Sequence, residues 1–222
     1  MNATAPAYTQ VIHDICHLRW SALSSAEMVD AAWAYYFFSI QVRESLTAAR
    51  SLYPHDEKLM QLEREECDTD NLSPWPGVTQ AGERVNHDEF MRRLLTLGPV
   101  SAERRAELEA IGAAYLARTR AVDRQAQAAS IASYEDGGLE AVFKAILTYT
   151  RWDNALLQAF QHFLSQHILF DSDPDGGHGS LSRHITVDDN ILPLWQAFHD
   201  VLVQSVPALA HPARPELQVA AE

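Results

Sequence analysis

The stretch "FQHFLSQHILFDSDPDGGH", Phe160 to His178, decides how the rest of the chain is read. Its first half has a helical period, because Phe160, Phe163, His167 and Asp171 fall on one face at steps of three and four. Two of those positions hold ligand-type side chains where an apolar face asks for hydrophobic ones. Its second half is a turn, marked by Pro174, Gly176 and Gly177. Asp171, Asp173, Asp175 and Gly176 spell D-x-D-x-D-G, the opening of an EF-hand calcium loop. His167, Asp171 and His178 make an equally good set for a transition metal. A calcium loop needs a bidentate acid at its twelfth position, and counting from Asp171 that position is Ser182. His178 stands at position 8, which these loops usually fill with an apolar residue. A plain turn explains the proline and glycines but not the flanking histidines, and a turn between two metal ligands explains both.

Working outward, the chain shows helical periodicity over most of its length and no strict two-residue alternation. Helices are predicted at about 9–20, 25–53, 56–67, 86–97, 101–132, 134–150, 152–171 and 188–204. Ser24 or Ser25 and Ser101 are candidate caps, and Gly98-Pro99 separates two helices. The fold class that follows is all-α, a compact bundle of seven to eight helices in one domain over 1–206. The Pro- and Ala-rich segment 207–222 is predicted to be a flexible tail.

Four further apolar stripes are interrupted in the same way. Trp33, Phe37 and Ile40 lead to Glu44, Leu59 and Leu62 lead to Glu66, and His87 opens the stripe Phe90, Met91, Leu94. Ile131 leads to Glu135 and on to Leu139 and Val142. A buried, unpaired carboxylate is costly, and several carboxylates and imidazoles meeting in a core neutralise one another poorly. Two divalent ions would neutralise them well, as in carboxylate-bridged dinuclear bundles. Any one such residue, taken alone, is more often at a stripe edge reaching water or an arginine.

With 30 acidic against 17 basic residues the net charge is -13, the wrong sign for a nucleic-acid partner. No apolar run approaches the roughly 20 residues of a membrane span, so no membrane partner is expected. The start, "MNATAPAYTQ", lacks the pattern of a secretion signal, and two cysteines, Cys16 and Cys67, make no disulfide framework. A cytoplasmic location is the expectation. Cys67 reads as a structural thiol rather than a nucleophile. The loop 67–86, with Trp75 between two prolines, is read as a lid or as a surface excursion. His162 and His184 are as well explained at the surface as in a site. Arg92, Arg93 and Arg183 are candidates to hold a substrate carboxylate or to balance the acids.

Taken together, His167, Asp171 and His178 resemble the late-helix H-x-x-x-D-x-x-H of the haem-oxygenase-like diiron oxidases and oxygenases. This is a seven-helix family that binds no haem and shares its fold with thiaminase-II-like proteins and pyrroloquinoline quinone synthase. The first spacing is kept at four, while His178 follows Asp171 by seven rather than three, as if "DSDPDGGH" carried a small insertion. Asp175 keeps a D-x-x-H spacing of its own to His178. Glu135 lies 167 − 135 = 32 residues before His167, near the family's preceding glutamate. Glu65-Glu66 followed by His87 matches its acidic pair and histidine, across a longer gap, and Glu44 matches a glutamate on the first core helix. The resemblance covers roughly residues 30 to 200.

The resemblance implies a ligand set for two irons of Glu44, Glu66, His87, Glu135, His167, Asp171 and His178, with Glu66, Glu135 and Asp171 as the carboxylates nearest the chemistry. Asp171 or Asp175, and Glu65 or Glu66, remain alternatives for the binding acid. The implied function is a non-haem diiron oxidase or oxygenase that activates O2 to oxidise a small molecule by N-oxygenation, desaturation or oxidative C–C cleavage in specialised metabolism. The implied partners are that substrate and an electron donor or reductase, with monomer and homodimer both open. Two rivals keep the same helices: a metal-independent oxidase or hydrolase, and a non-enzymatic helical protein that binds a metal or ligand.

Overall fold

The structure is a computed structural model and describes residues 6–98, 100–171 and 177–210, with the side chain of Asp171 not among them. Among the described residues ten α-helices come in this order: α1 Ala7–Cys16, α2 Ser25–Leu52, α3 Glu57–Cys67, α4 His87–Leu94, α5 Ala102–Arg120, α6 Arg124–Ser133, α7 Leu139–Ile146, α8 Ala155–Asp171, α9 His178–Ser182 and α10 Leu192–Ser205. A π-helical segment, Tyr134–Gly138, joins α6 to α7. The only β pairing among the described residues is two isolated bridges, Thr69 to Val85 and Trp75 to Thr79. The chain is all-α, and none of its described helices is long and apolar enough to cross a membrane.

Helix α2 is the axis of the bundle. Its 28 residues, about 42 Å of helix, are apolar on nearly every face, so it is surrounded rather than laid on a surface. It touches α3, α4, α5, α6, α8 and α10. A capping box fixes its start: Ser24 Oγ accepts from the Glu27 backbone N–H, and Glu27 Oε2 accepts from the Ser24 N–H at 2.7 Å. At its middle, Tyr35 meets Phe143, Phe160, Phe163 and Phe198 at ring separations of 5.5 to 6.3 Å, and Phe38 stacks on Phe198 at 3.9 Å. This aromatic cluster forms the floor on which the polar centre described below rests.

The close approach of α5 to α2 depends on Gly112, where a methyl group would come within 2.1 Å of the Phe37 ring. Gly112→Ala is therefore expected to lower stability by about 1–3 kcal/mol through overpacking, outweighing the gain of about 1 kcal/mol in helix propensity. A drop of several degrees in the thermal midpoint checks it.

Several boundaries differ from expectation, and two of them and one loop have clear physical reasons. The helix predicted over 101–132 breaks at Asp123, whose side chain accepts from the backbone N–H of Gln125 and Ala126 and starts α6 anew. The domain runs past 206, since Leu209 is buried and its carbonyl accepts from the Arg19 N–H at 3.1 Å. Residues 211–222 lie outside the described ones. The loop after α3 is folded, with Leu72, Val78 and Val85 buried and Trp75 stacked on His162 at 4.5 Å. Of the loop 67–86, the ends Cys67 and Asn86 line the central cavity, while 68–85 do not and pack beside it as a wall.

Candidate metal centre

Each ligand-type side chain is delivered by a short-range feature of the sequence. On α3, Asp56 caps the first turn by accepting from the Leu59 N–H at 3.0 Å, and Leu59, Leu62 and Glu66 then share the buried face. His87 is the first residue of α4, heading the buried stripe Phe90, Met91, Leu94. His167 follows Phe160 and Phe163 on α8. His178 is the first residue of α9.

Glu135 sits in the π-helical segment, where Asp136 and Gly137 leave helical geometry and Gly137 takes φ +90°, a conformation that suits glycine. Gly179 lets α9 close on this segment, because a Cβ there would lie 2.9 Å from the Glu135 carbonyl oxygen. Arg183 and Asp136, 2.8 Å apart, pair across the same contact.

Five of the expected residues converge. Glu66, His87, Glu135, His167 and His178 are all less than a tenth exposed. They form two groups, Glu66 with His87 and His167, and Glu66 with Glu135 and His178, in which the ligand atoms lie within 4.8 Å of one another. Glu66 belongs to both. Its Oε2 stands 2.7 Å from His87 Nδ1, and its Oε1 stands 2.9 Å from His178 Nδ1. His167 Nε2 lies 3.0 Å from His87 Nδ1, and Glu135 Oε2 lies 3.5 Å from His178 Nδ1.

Counting protons shows what this arrangement lacks. His167 Nδ1–H donates to the Phe163 carbonyl at 2.8 Å, which leaves a lone pair on Nε2. Burial, and then the neighbouring His87, push the His167 imidazole down to about 3, so it is neutral. Glu66 Oε2, His167 Nε2 and His87 Nδ1 are thus three lone-pair atoms with at most one proton among them. His87 Nε2 is buried with no hydrogen-bond partner, so either tautomer of that ring leaves a polar atom unsatisfied.

Around the other oxygen, two carboxylates face one ring nitrogen. Burial works against the Glu66 charge, yet the His87 and His178 imidazoles outweigh it and hold this carboxyl well below the usual range. Two clusters of lone pairs that share an ionised, two-ended carboxylate fit two divalent cations. Nitrogen and oxygen donors without thiolate suit iron or manganese rather than structural zinc.

Glu44 is not part of this centre. Arg120 at the end of α5 pairs with it at 2.6 Å, and its side chain is 30% exposed. The stripe Trp33, Phe37, Ile40, Glu44 faces α5, while the face of α2 that lines the centre is Tyr35, Ser39, Val42 and Leu46. Residues 42 and 44 are about 200° apart on a helix, so no rotation of the Glu44 side chain corrects the difference. Glu44→Gln should leave metal uptake unchanged and cost at most about 1 kcal/mol, as expected of an exposed pair. Metal content and a urea midpoint check both.

Asp171 ends α8, but its side chain and Asp175 lie outside the described residues. Between Glu65 and Glu66, Glu66 is the inward acid, and Glu65 is 37% exposed. The three arginines considered from the sequence are engaged elsewhere: Arg92 with Glu89, Arg93 with Glu83 and Glu89, Arg183 with Asp136. His184 pairs with Asp56 at 2.6 Å.

Glu66, His87, Glu135 and His167 themselves line a cavity of about 30 Å³. Tyr35, Val42, Leu46, Leu139 and Phe163 make its apolar wall. Arg43, held to Asp88 at 2.9 Å, stands at its rim. The period of three and four through 35, 39, 42 and 46 was the available signal for this face. Compared with models of known families and with curated proteins, the chain matches none.

Proposed function

We propose that this protein is a non-haem dinuclear-iron oxidase or oxygenase acting on a small molecule. The observation that carries the reading is Glu66, a buried, ionised carboxylate whose two oxygens each complete a separate three-residue donor set. Iron bound there would supply the activation of O2 and the oxidation of a substrate brought beside it.

The remaining work falls to the protein. Glu66 would be shared by both ions, His87 and His167 would hold one with it, and Glu135 and His178 the other. The apolar wall of Tyr35, Val42, Leu46, Leu139 and Phe163 keeps bulk water away from the oxidation. Arg43, 39% exposed, is the rim side chain whose movement would widen a cavity too small for an organic substrate. Repeated turnover requires an electron donor from outside the chain.

A metal-free nucleophilic reading has less support. Burial first, then Glu66, Glu63 and Asp88, push the Cys67 thiol up to about 12, far from the thiolate a nucleophile needs.

Anaerobic titration of chelator-treated protein with ferrous ion, followed by oxygenated buffer, tests the proposal. Two ions bound per chain, with O2 consumed in proportion to them, is the expected result. Absence of stoichiometric iron, or full activity under a strong chelator, sinks it.

A further inference from the structure

Resting on the two-metal reading, we propose that Glu65 is the positioning residue of the Glu135–His178 half of the centre. Its carboxylate faces the far nitrogen of the His178 ring, so that the near nitrogen presents its lone pair to an ion. Gln61, one turn earlier on α3, donates its Nε2–H to Glu65 Oε1 at 2.8 Å. The other oxygen, Oε2, lies 3.6 Å from His178 Nε2. The imidazole is therefore flanked by consecutive residues of one helix: Glu66 Oε1 at 2.9 Å from Nδ1 on one edge, Glu65 Oε2 beyond Nε2 on the other.

An imidazole binds a cation through one nitrogen only when the other carries the proton. An acceptor facing that second nitrogen fixes the tautomer and the ring orientation and raises the basicity of the ligating atom. His167 has such an acceptor in the backbone, the Phe163 carbonyl. Glu65 stands at the corresponding nitrogen of His178, at ion-pair rather than hydrogen-bond distance, and unlike a carbonyl it can be replaced. Glu65 belongs to neither group of convergent donors, and it stands on the opposite edge of the ring from Glu66 and Glu135. Its action on an ion passes through His178.

The test is stepwise Mn(II) binding in wild type and in Glu65→Ala, Glu65→Gln and Gln61→Ala. It is read by competition with a chelator and by the electron paramagnetic resonance signature of a spin-coupled pair. Alanine is a good helix former and position 65 is partly exposed, so the fold is kept.

Expected for Glu65→Ala is a first ion bound as in wild type and a second bound about 10–100-fold more weakly, with loss of the coupled-pair signal. Glu65→Gln, whose amide oxygen can accept from the same ring N–H, should recover most of that affinity. Gln61→Ala should shift the second ion in the same direction by less. Two ions bound by Glu65→Ala with wild-type affinity, or Glu65→Gln no better than Glu65→Ala, would overturn the role of Glu65 and leave the two-metal reading standing. A wild-type chain that takes up no ion pair overturns both.

Discussion

Glu66→Ala is expected to lose both metal ions at once, whereas His87→Ala and His178→Ala should each lose one. The difference follows from the geometry: His87 Nδ1 meets Glu66 Oε2 and His167 Nε2, whereas His178 Nδ1 meets Glu66 Oε1 and Glu135 Oε2. Removing either histidine leaves one donor set of three intact. Removing Glu66 reduces both sets to two and takes away the carboxylate that the flanking imidazoles keep ionised. The loss should exceed the about 10–100-fold typical of outer partners, because a direct and shared ligand is gone. Metal content after gel filtration, against wild type loaded in parallel, reads the result. A Glu66→Ala protein that retains two ions would remove the bridging role and the function built on it.

The second large effect is on stability in acid. In the metal-free protein the His167 imidazole is held down at about 3, while in an unfolded chain it titrates near 6.5. Between those values the unfolded chain carries a proton that the folded one refuses, so stability falls as pH falls through this window. The slope reaches about 1.4 kcal/mol per pH unit, or roughly 2–3 kcal/mol between pH 6.5 and 4.5. Glu66, held well below the usual carboxylate range, adds a loss of the same sign once the pH drops below about 4.3.

His167→Phe removes the first contribution. The ring already lies against Phe163 and Phe143, at 4.2 and 5.6 Å, so a phenyl group suits the site. Chelator-treated His167→Phe should show a shallower dependence of its urea midpoint on pH than chelator-treated wild type, and should be the more stable of the two near pH 5. The same substitution should cost one bound ion. Parallel pH profiles for the two proteins would refute the account of His167 as a neutral, buried ring kept at a cost in stability.

Where the apolar face of a helix is narrow, the position of an inward Glu or His was legible from its period. Leu59–Leu62–Glu66, His87–Phe90–Met91–Leu94 and Phe160–Phe163–His167 each point inward as their spacing predicts. Helix α2 resisted the same reasoning because it is apolar on nearly all sides. Its stripe through Glu44 is a real face, but one that meets α5, and the face toward the centre, Tyr35–Ser39–Val42–Leu46, carries no carboxylate. Glu135 lay on an expected stripe, yet its backbone is a π-helical segment with Gly137 at positive φ, which the pattern through Ile131 and Leu139 did not reveal.

By itself the sequence determined the secondary structure class and picked out five of the Glu and His side chains that meet in the buried centre, since helical period, caps and residue type are local properties. Only the tertiary structure decided that Glu66 rather than Glu65 faces inward, that Glu44 serves Arg120, that Cys67 lies beside the centre as a half-buried thiol, and that 68–85 is a packed wall. Those outcomes depend on which neighbour each helix face meets. That is set by how six helices cross around α2, and a residue's angle on its own helix does not contain it.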